Sequence, residues 1–116
     1  MRMHNPPHPG RVLKDALEGL AAEGRPMSVA QFAAHIGVAR STVHRLLACK
    51  AAITPDMSIR LAEAFGQPTV DIWLRMQMKH DLWQAEHSKR KKVKPLRVLP
   101  PDQRLFPISH ALRAPL

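Results

Sequence analysis

Two short stretches of helical apolar spacing lie either side of Gly37-Val38-Ala39, and that three-residue joint constrains the fold more than any other feature. The stretch before it opens on Ser28, a good N-cap, and carries Val29, Phe32, Ala33 and Ile36. The stretch after it starts near Ala39 and carries Val43, Leu46 and Leu47. So short a connection brings two helices together at a steep crossing. Ala33 then sits where the backbones approach closely, and a larger side chain would push them apart. Gly37 follows four residues later, at the turn, where a left-handed backbone costs least without a β-carbon. Val43 and Leu46, ten and thirteen residues after Ala33, bury the inner face of the later helix. The competing reading is an ordinary helical hairpin with a glycine turn.

The surrounding chain is punctuated in the same way. Asn5 to Gly10 holds three prolines and is expected to be extended. Val12, Leu13, Ala16, Leu17 and Leu20 then recur at helical spacing, ended by Gly24 and Pro26. Thr54-Pro55-Asp56 combines an N-cap hydroxyl, proline at the first helical position and an acid on the positive end of the dipole. That helix carries Ile59, Leu61, Ala62 and Phe65 and stops at Gly66, and Pro68-Thr69 opens a fifth, longer one reaching roughly Glu86. No period-two alternation flanked by turn residues occurs before Lys92, so the expectation is an all-α, five-helix domain over residues 1–87. Residues 88–116 read as a basic tail, extended or disordered when free, with a Lys89-Arg90-Lys91-Lys92 run and Pro95, Pro100, Pro101 and Pro107. Within it Val93, Leu96, Val98 and Leu99 have the composition of a short strand.

With Val43, Leu46 and Leu47 inward, Arg40, Ser41, His44 and Arg45 face outward from the third helix. Such a helix can enter the major groove of duplex DNA and reach base edges, making the pair a helix-turn-helix. Ser28, Thr42 and Lys50 are better placed for phosphates, which position a protein without specifying sequence. No acid occurs between Glu23 and Asp56, a run of 32 residues holding Arg25, Arg40, Arg45, Lys50, His35 and His44. A merely solvated basic face would carry scattered acids as well.

Composition agrees, with one qualification. The 116 residues hold 18 Lys and Arg against nine Asp and Glu, a net charge of +9, which points to a polyanionic partner. Residues 88–116 contribute +7 of this, with eight Lys and Arg against one Asp, and residues 1–87 only +2. Sequence-specific binding is therefore indicated by the acid-free stretch and not by net charge. A single cysteine fits a reducing compartment. There is no 18-residue apolar run and no apolar N-terminal stretch, so a cytoplasmic protein with no membrane partner is expected. Seven histidines raise the question of a metal. Pro6, Pro7 and Pro9 forbid the helix that would align His4 with His8, His35 and His44 lack neighbouring acids, and no metal or phosphate-loop motif occurs. Cys49 is flanked by Lys50, but a nucleophile needs a general base and an oxyanion site too, and an incidental thiol is the simpler reading. The residues point to no catalytic site, no metal and no cofactor.

The fifth helix carries two apolar stripes. Ile72, Trp73, Met76 and Trp83 lie along one side, and Leu74, Met78 and Leu82 along another. A domain this small covers one of them, so Leu74, Met78 and Leu82 are expected to contribute a dimer interface.

Several blocks in order resemble the HigA antitoxins of the XRE/Cro-like helix-turn-helix superfamily. They are His8-Pro9-Gly10, Ser28-Val29-Ala30, Gly37 through Leu47, Ile53 through Ala62, Trp73 through Gln77, and Asp81 through Gln84. The resemblance covers about residues 5–87 and implies a lambda-repressor-like fold. It implies a homodimer that binds double-stranded operator DNA, represses its operon and neutralises a HigB-like toxin protein, an mRNA-cleaving ribonuclease. The chain departs from the usual pattern at Arg11, where an acid is common, at Val29, where many relatives have glutamine, and at Cys49, where glycine is usual. Two other readings stay open: a stand-alone or phage-type regulator, and an interaction module working through the basic tail.

Overall fold

The computed structural model of the chain describes residues 5–97 and Pro100. Five helices follow in order: α1 (Pro9–Ala22), α2 (Val29–Ile36), α3 (Arg40–Leu47), α4 (Pro55–Ala64) and α5 (Ile72–His87). No strand occurs among the described residues, and the all-helical expectation holds. Val93 and Leu96 lie in irregular, exposed chain; Val98, Leu99 and residues 101–116 lie outside the described residues.

Local sequence explains most helix starts. Ser28 and Gln31 form a capping box, the Ser28 hydroxyl accepting the Gln31 N–H at 3.1 Å and the Gln31 side chain accepting the Ser28 N–H at 2.8 Å. Thr54 caps α4 by accepting the Met57 N–H at 3.2 Å, with Pro55 at the first helical position. Two boundaries differ from expectation. Pro9 and Gly10 are not extended but open α1, because His8 acts as N-cap: its Nδ1 accepts the Gly10 N–H at 2.9 Å. The fifth helix begins at Ile72, not at Pro68, and Asp71 gives it no side-chain cap. Its start is held from α4 instead. The buried Ser58 hydroxyl donates to the Val70 carbonyl at 2.6 Å and accepts the Leu74 N–H at 3.1 Å.

The core draws on every helix: Leu13 from α1, Phe32, Ala33 and Ile36 from α2, Val43 and Leu46 from α3, Leu61 and Ala62 from α4, Trp73 from α5. Phe65 lies between Phe32 and Trp73, with 5.9 Å from its ring centroid to each, and the Trp73 indole N–H donates to Gln67 Oε1 at 2.6 Å. The buried Gln77 side chain accepts the Ile53 N–H at 2.9 Å and donates to Asp81 at 2.9 Å, tying the α3–α4 loop to α5. Gly10 lies directly against α3: a β-carbon there would come within 1.9 Å of the Leu46 carbonyl oxygen.

His8 joins the start of α1 to α5. Its ring meets His80 edge-on with centroids 5.0 Å apart, while His80 Nδ1 lies 2.9 Å from the Pro6 carbonyl. Burial, with the charge of His80 adding to it and Asp81 opposing, holds the His8 pKa below the usual histidine value of 6.5. The neutral ring is also the one whose Nδ1 can accept the Gly10 N–H. Between the lowered folded pKa and 6.5 the unfolded chain therefore binds more protons, and stability rises with pH. The His8 contribution is present above about pH 6.5 and is lost as pH falls through the folded value. Thermal melts from about pH 7.5 down to about pH 5 should show this loss, reduced in a His8→Asn variant whose cap does not titrate. An equal acid loss in both proteins would place the sensitivity elsewhere.

Candidate nucleic-acid interface

The joint between α2 and α3 has the expected construction. Gly37 is left-handed at φ 76°, and the N–H groups of Gly37 and Val38 both donate to the Ala33 carbonyl, at 2.9 and 3.0 Å. Ala33 is buried, as close approach of the two helices requires. One stabilising residue is not apparent from sequence. Arg60, on α4, donates from Nη1 to the Ile36 carbonyl at 2.7 Å and the Gly37 carbonyl at 3.4 Å. It is held in place by Asp56, whose carboxylate lies 2.8 Å from Arg60 Nε. The i, i+4 pair is visible in the sequence; its reach to a turn 24 residues away is not. The exposed pair itself adds little stability, so its role is to aim the guanidinium at the turn.

Val43 and Leu46 are fully buried, and this decides what α3 presents to solvent. Arg40, Ser41, His44 and Arg45 are all exposed, on one helix of eight residues. Ala39 gives α3 no side-chain cap, so the N–H groups of Arg40 and Ser41 have no capping side chain, while the Thr42 N–H donates to the Ala39 carbonyl at 3.0 Å. Thr42 is half-buried at this end of the helix, and Lys50 is exposed beyond the other. The Ser28 hydroxyl already accepts the Gln31 N–H, which leaves its own proton to donate. The geometry thus brings the four expected base-reading residues onto one face, with Ser28 at the start of α2 and Lys50 after α3. No carboxylate occurs in the chain from Gly24 to Pro55 that would repel a phosphate.

The end of α3 shows how Cys49 is accommodated. Its N–H donates to the Leu46 carbonyl at 3.0 Å, and the Lys50 N–H donates to the Arg45 carbonyl at 2.8 Å. This is the same closing pattern by which Gly24 ends α1 and Gly66 ends α4. Cys49 adopts φ 60°, a left-handed conformation that costs an L-residue about 1–2 kcal/mol. The loop shape is thus kept at some cost in stability, and Lys50 stays next to the exposed end of α3.

On α5 the stripe containing Trp73 is the covered one. Trp83 is only half-buried and stacks on His87 with centroids 3.8 Å apart. Of the other stripe, Leu74 packs partly on the core, whereas Met78 and Leu82 are 59% and 58% exposed. These three line an apolar hollow of about 660 Å³ with Ala52, Ile53 and Gln77. None of the described helices is long and apolar enough to cross a membrane.

Comparison with known proteins agrees with this geometry. Residues 15–49, from within α1 to the turn after α3, match the IclR helix-turn-helix domain. The chain is 37% identical over 88 residues to the helix-turn-helix-type transcriptional regulator YddM of Escherichia coli, spanning 76% of this chain and 87% of YddM. An addiction module antidote protein of the HigA family from Coxiella burnetii superposes with a TM-score of 0.67 at 32% identity, covering 79% of this chain and 99% of that one. The Pseudomonas aeruginosa antitoxin HigA, solved with the higBA promoter, superposes with a TM-score of 0.62 at 29% identity, again covering 79% and 99%. The chain belongs to the helix-turn-helix family of transcriptional regulators, and the solved structures similar to it include antidote proteins of the HigA type.

Proposed function

We propose that this protein is a cytoplasmic, dimeric transcriptional repressor that binds its operator through α3 and acts as the antitoxin of a HigBA-like toxin–antitoxin pair. The observation that carries the reading is the exposed face of Arg40, Ser41, His44 and Arg45 within an acid-free stretch. The same fold holds promoter DNA in the Pseudomonas aeruginosa HigA. Arg40, Ser41, His44 and Arg45 read bases; Ser28, Thr42 and Lys50 hold phosphates; residues 1–87 form the binding and dimerisation unit. An arginine paired with guanine O6 and N7 supplies about 1–3 kcal/mol of discrimination.

Arg40→Ala should therefore lower affinity for an operator selected from a random duplex library by about 10-fold or more, with little change on unselected duplex. Lys50→Ala should weaken both alike and flatten the salt dependence by about one counterion. Fluorescence anisotropy titrations at several salt concentrations check both. An Arg40→Ala protein with an unchanged specific-to-nonspecific ratio would mean that α3 is not the reading helix. The toxin half of the proposal is tested by the neighbouring reading frame and co-purification. A short, ribonuclease-like protein that travels with this one supports it, and the absence of such a frame favours a stand-alone regulator.

A further inference from the structure

The run from Lys89 to Arg97 has no place in the interface described above, and its charge is out of proportion to its length. Helix α5 ends firmly before it. Ser88 takes extended backbone at φ −81° and ψ 160°, and its hydroxyl donates to the Ala85 carbonyl at 2.8 Å. The chain beyond leaves the helix as irregular backbone and every described residue of it is exposed. Lys89, Arg90, Lys91, Lys92, Lys94 and Arg97 lie there with no acid among them. Neither of the two ion pairs among the described residues involves them; both are i, i+4 pairs within the helical body. The helical body has almost no net charge of its own, since residues 1–87 sum to only +2.

We infer that residues 89–97 form a second, sequence-independent DNA contact, a flexible cationic arm that engages the phosphates of the duplex beside the segment read by α3. This rests on the proposed function, because it takes the same ligand as α3. Three features favour duplex phosphate over other polyanions. The segment contains no aromatic residue, so it lacks the stacking platform of a single-strand binder. It is not helical, so it presents no amphipathic face to a lipid surface. It is covalently tethered to a domain that already faces DNA, which turns a weak interaction into an intramolecular one. Ten extended residues, 88 to 97, span about 33 Å, close to one turn of duplex. The division of labour also follows from charge. A nearly neutral body can discriminate between sequences but attracts duplex weakly from a distance, and the arm supplies that attraction.

The test uses the full chain with Lys89→Gln/Arg90→Gln/Lys91→Gln/Lys92→Gln, substitutions on exposed residues that leave the core untouched. Affinities are measured against a selected operator and a random-sequence duplex of about 30 base pairs between about 50 and 200 mM salt. Each phosphate that is no longer neutralised flattens the slope by about 0.9, so four should flatten it by about three to four on both duplexes. The wild-type affinity should accordingly fall about 100-fold more steeply than the variant's across that range. The ratio of operator to random-duplex affinity should stay the same. Equal slopes in wild type and variant, with operator preference intact, overturn the arm and leave the proposed function standing. Equal duplex slopes with binding to phosphatidylserine vesicles abolished only in the variant overturn it in favour of a lipid surface. Loss of operator preference in the variant overturns sequence independence. If the wild type shows no operator preference while the variant still flattens the slope, the proposed function fails and the arm survives.

Discussion

A Gly10→Ala chain should lose about 3 kcal/mol of folding stability, near the upper end of what overpacking usually costs. The new β-carbon would lie 1.9 Å from the Leu46 carbonyl oxygen, 3.0 Å from its carbon and 3.2 Å from His8 Nδ1. The first two atoms are backbone, in the last turn of α3, and no rotamer change moves them. Either α1 retreats and opens the core around Leu13, or α3 tilts and carries Arg40 to Arg45 with it. The melting temperature of so small a domain should fall by more than about 10 °C. Duplex binding should weaken even below the melting transition, because Leu46 anchors α3, the helix proposed to read the operator. Gly19 on the same helix is the control. A β-carbon there meets nothing within 4 Å, so Gly19→Ala should stabilise by up to about 1 kcal/mol through helix propensity. If Gly10→Ala melts with the wild type, the packing of α1 on α3 is looser than described.

The second large effect concerns assembly. Met78→Glu/Leu82→Glu should leave the monomer fold intact, since both side chains are mostly exposed, and should halve the mass seen by sedimentation. These are better probes than Leu74, which also packs on the core, so its replacement would mix folding with association. In the dimer proposed above, the hollow lined by Leu74, Met78 and Leu82 is the apolar surface that a two-fold partner covers, so each interaction made there occurs twice. Two joined reading helices bind a palindrome with the second half-site at high effective concentration, an advantage of about 10²–10⁴ by avidity. The monomeric variant should therefore bind a palindromic operator about 100-fold more weakly, while its affinity for one half-site is unchanged. A variant that keeps the wild-type mass places the seam elsewhere.

The two stripes of α5 show how far periodicity alone can lead. It identifies both, yet only packing decides that the Trp73 stripe goes inward, because Phe65 and Gln67 wait there to receive the indole. His8 is a similar case. Three surrounding prolines suggest an extended opening, while the imidazole beside Gly10 supplies a cap that composition does not advertise.

What the sequence by itself determined is everything whose cause is local. The Ser28–Gln31 box, the Thr54-Pro55 start, the left-handed Gly37 and the ten- and thirteen-residue offsets from Ala33 are short-range facts of stereochemistry. They are enough to specify two short helices joined by a tight turn and the outward face of the second. Only the tertiary structure decided the interactions that fix this pair in the domain: Gly10 against Leu46, Arg60 on the turn, Gln77 on Ile53 and Ser58 at the start of α5. Each joins residues far apart in the chain through a backbone group. A backbone carbonyl or N–H has the same identity at every position, so no residue pattern marks which one a distant side chain will find.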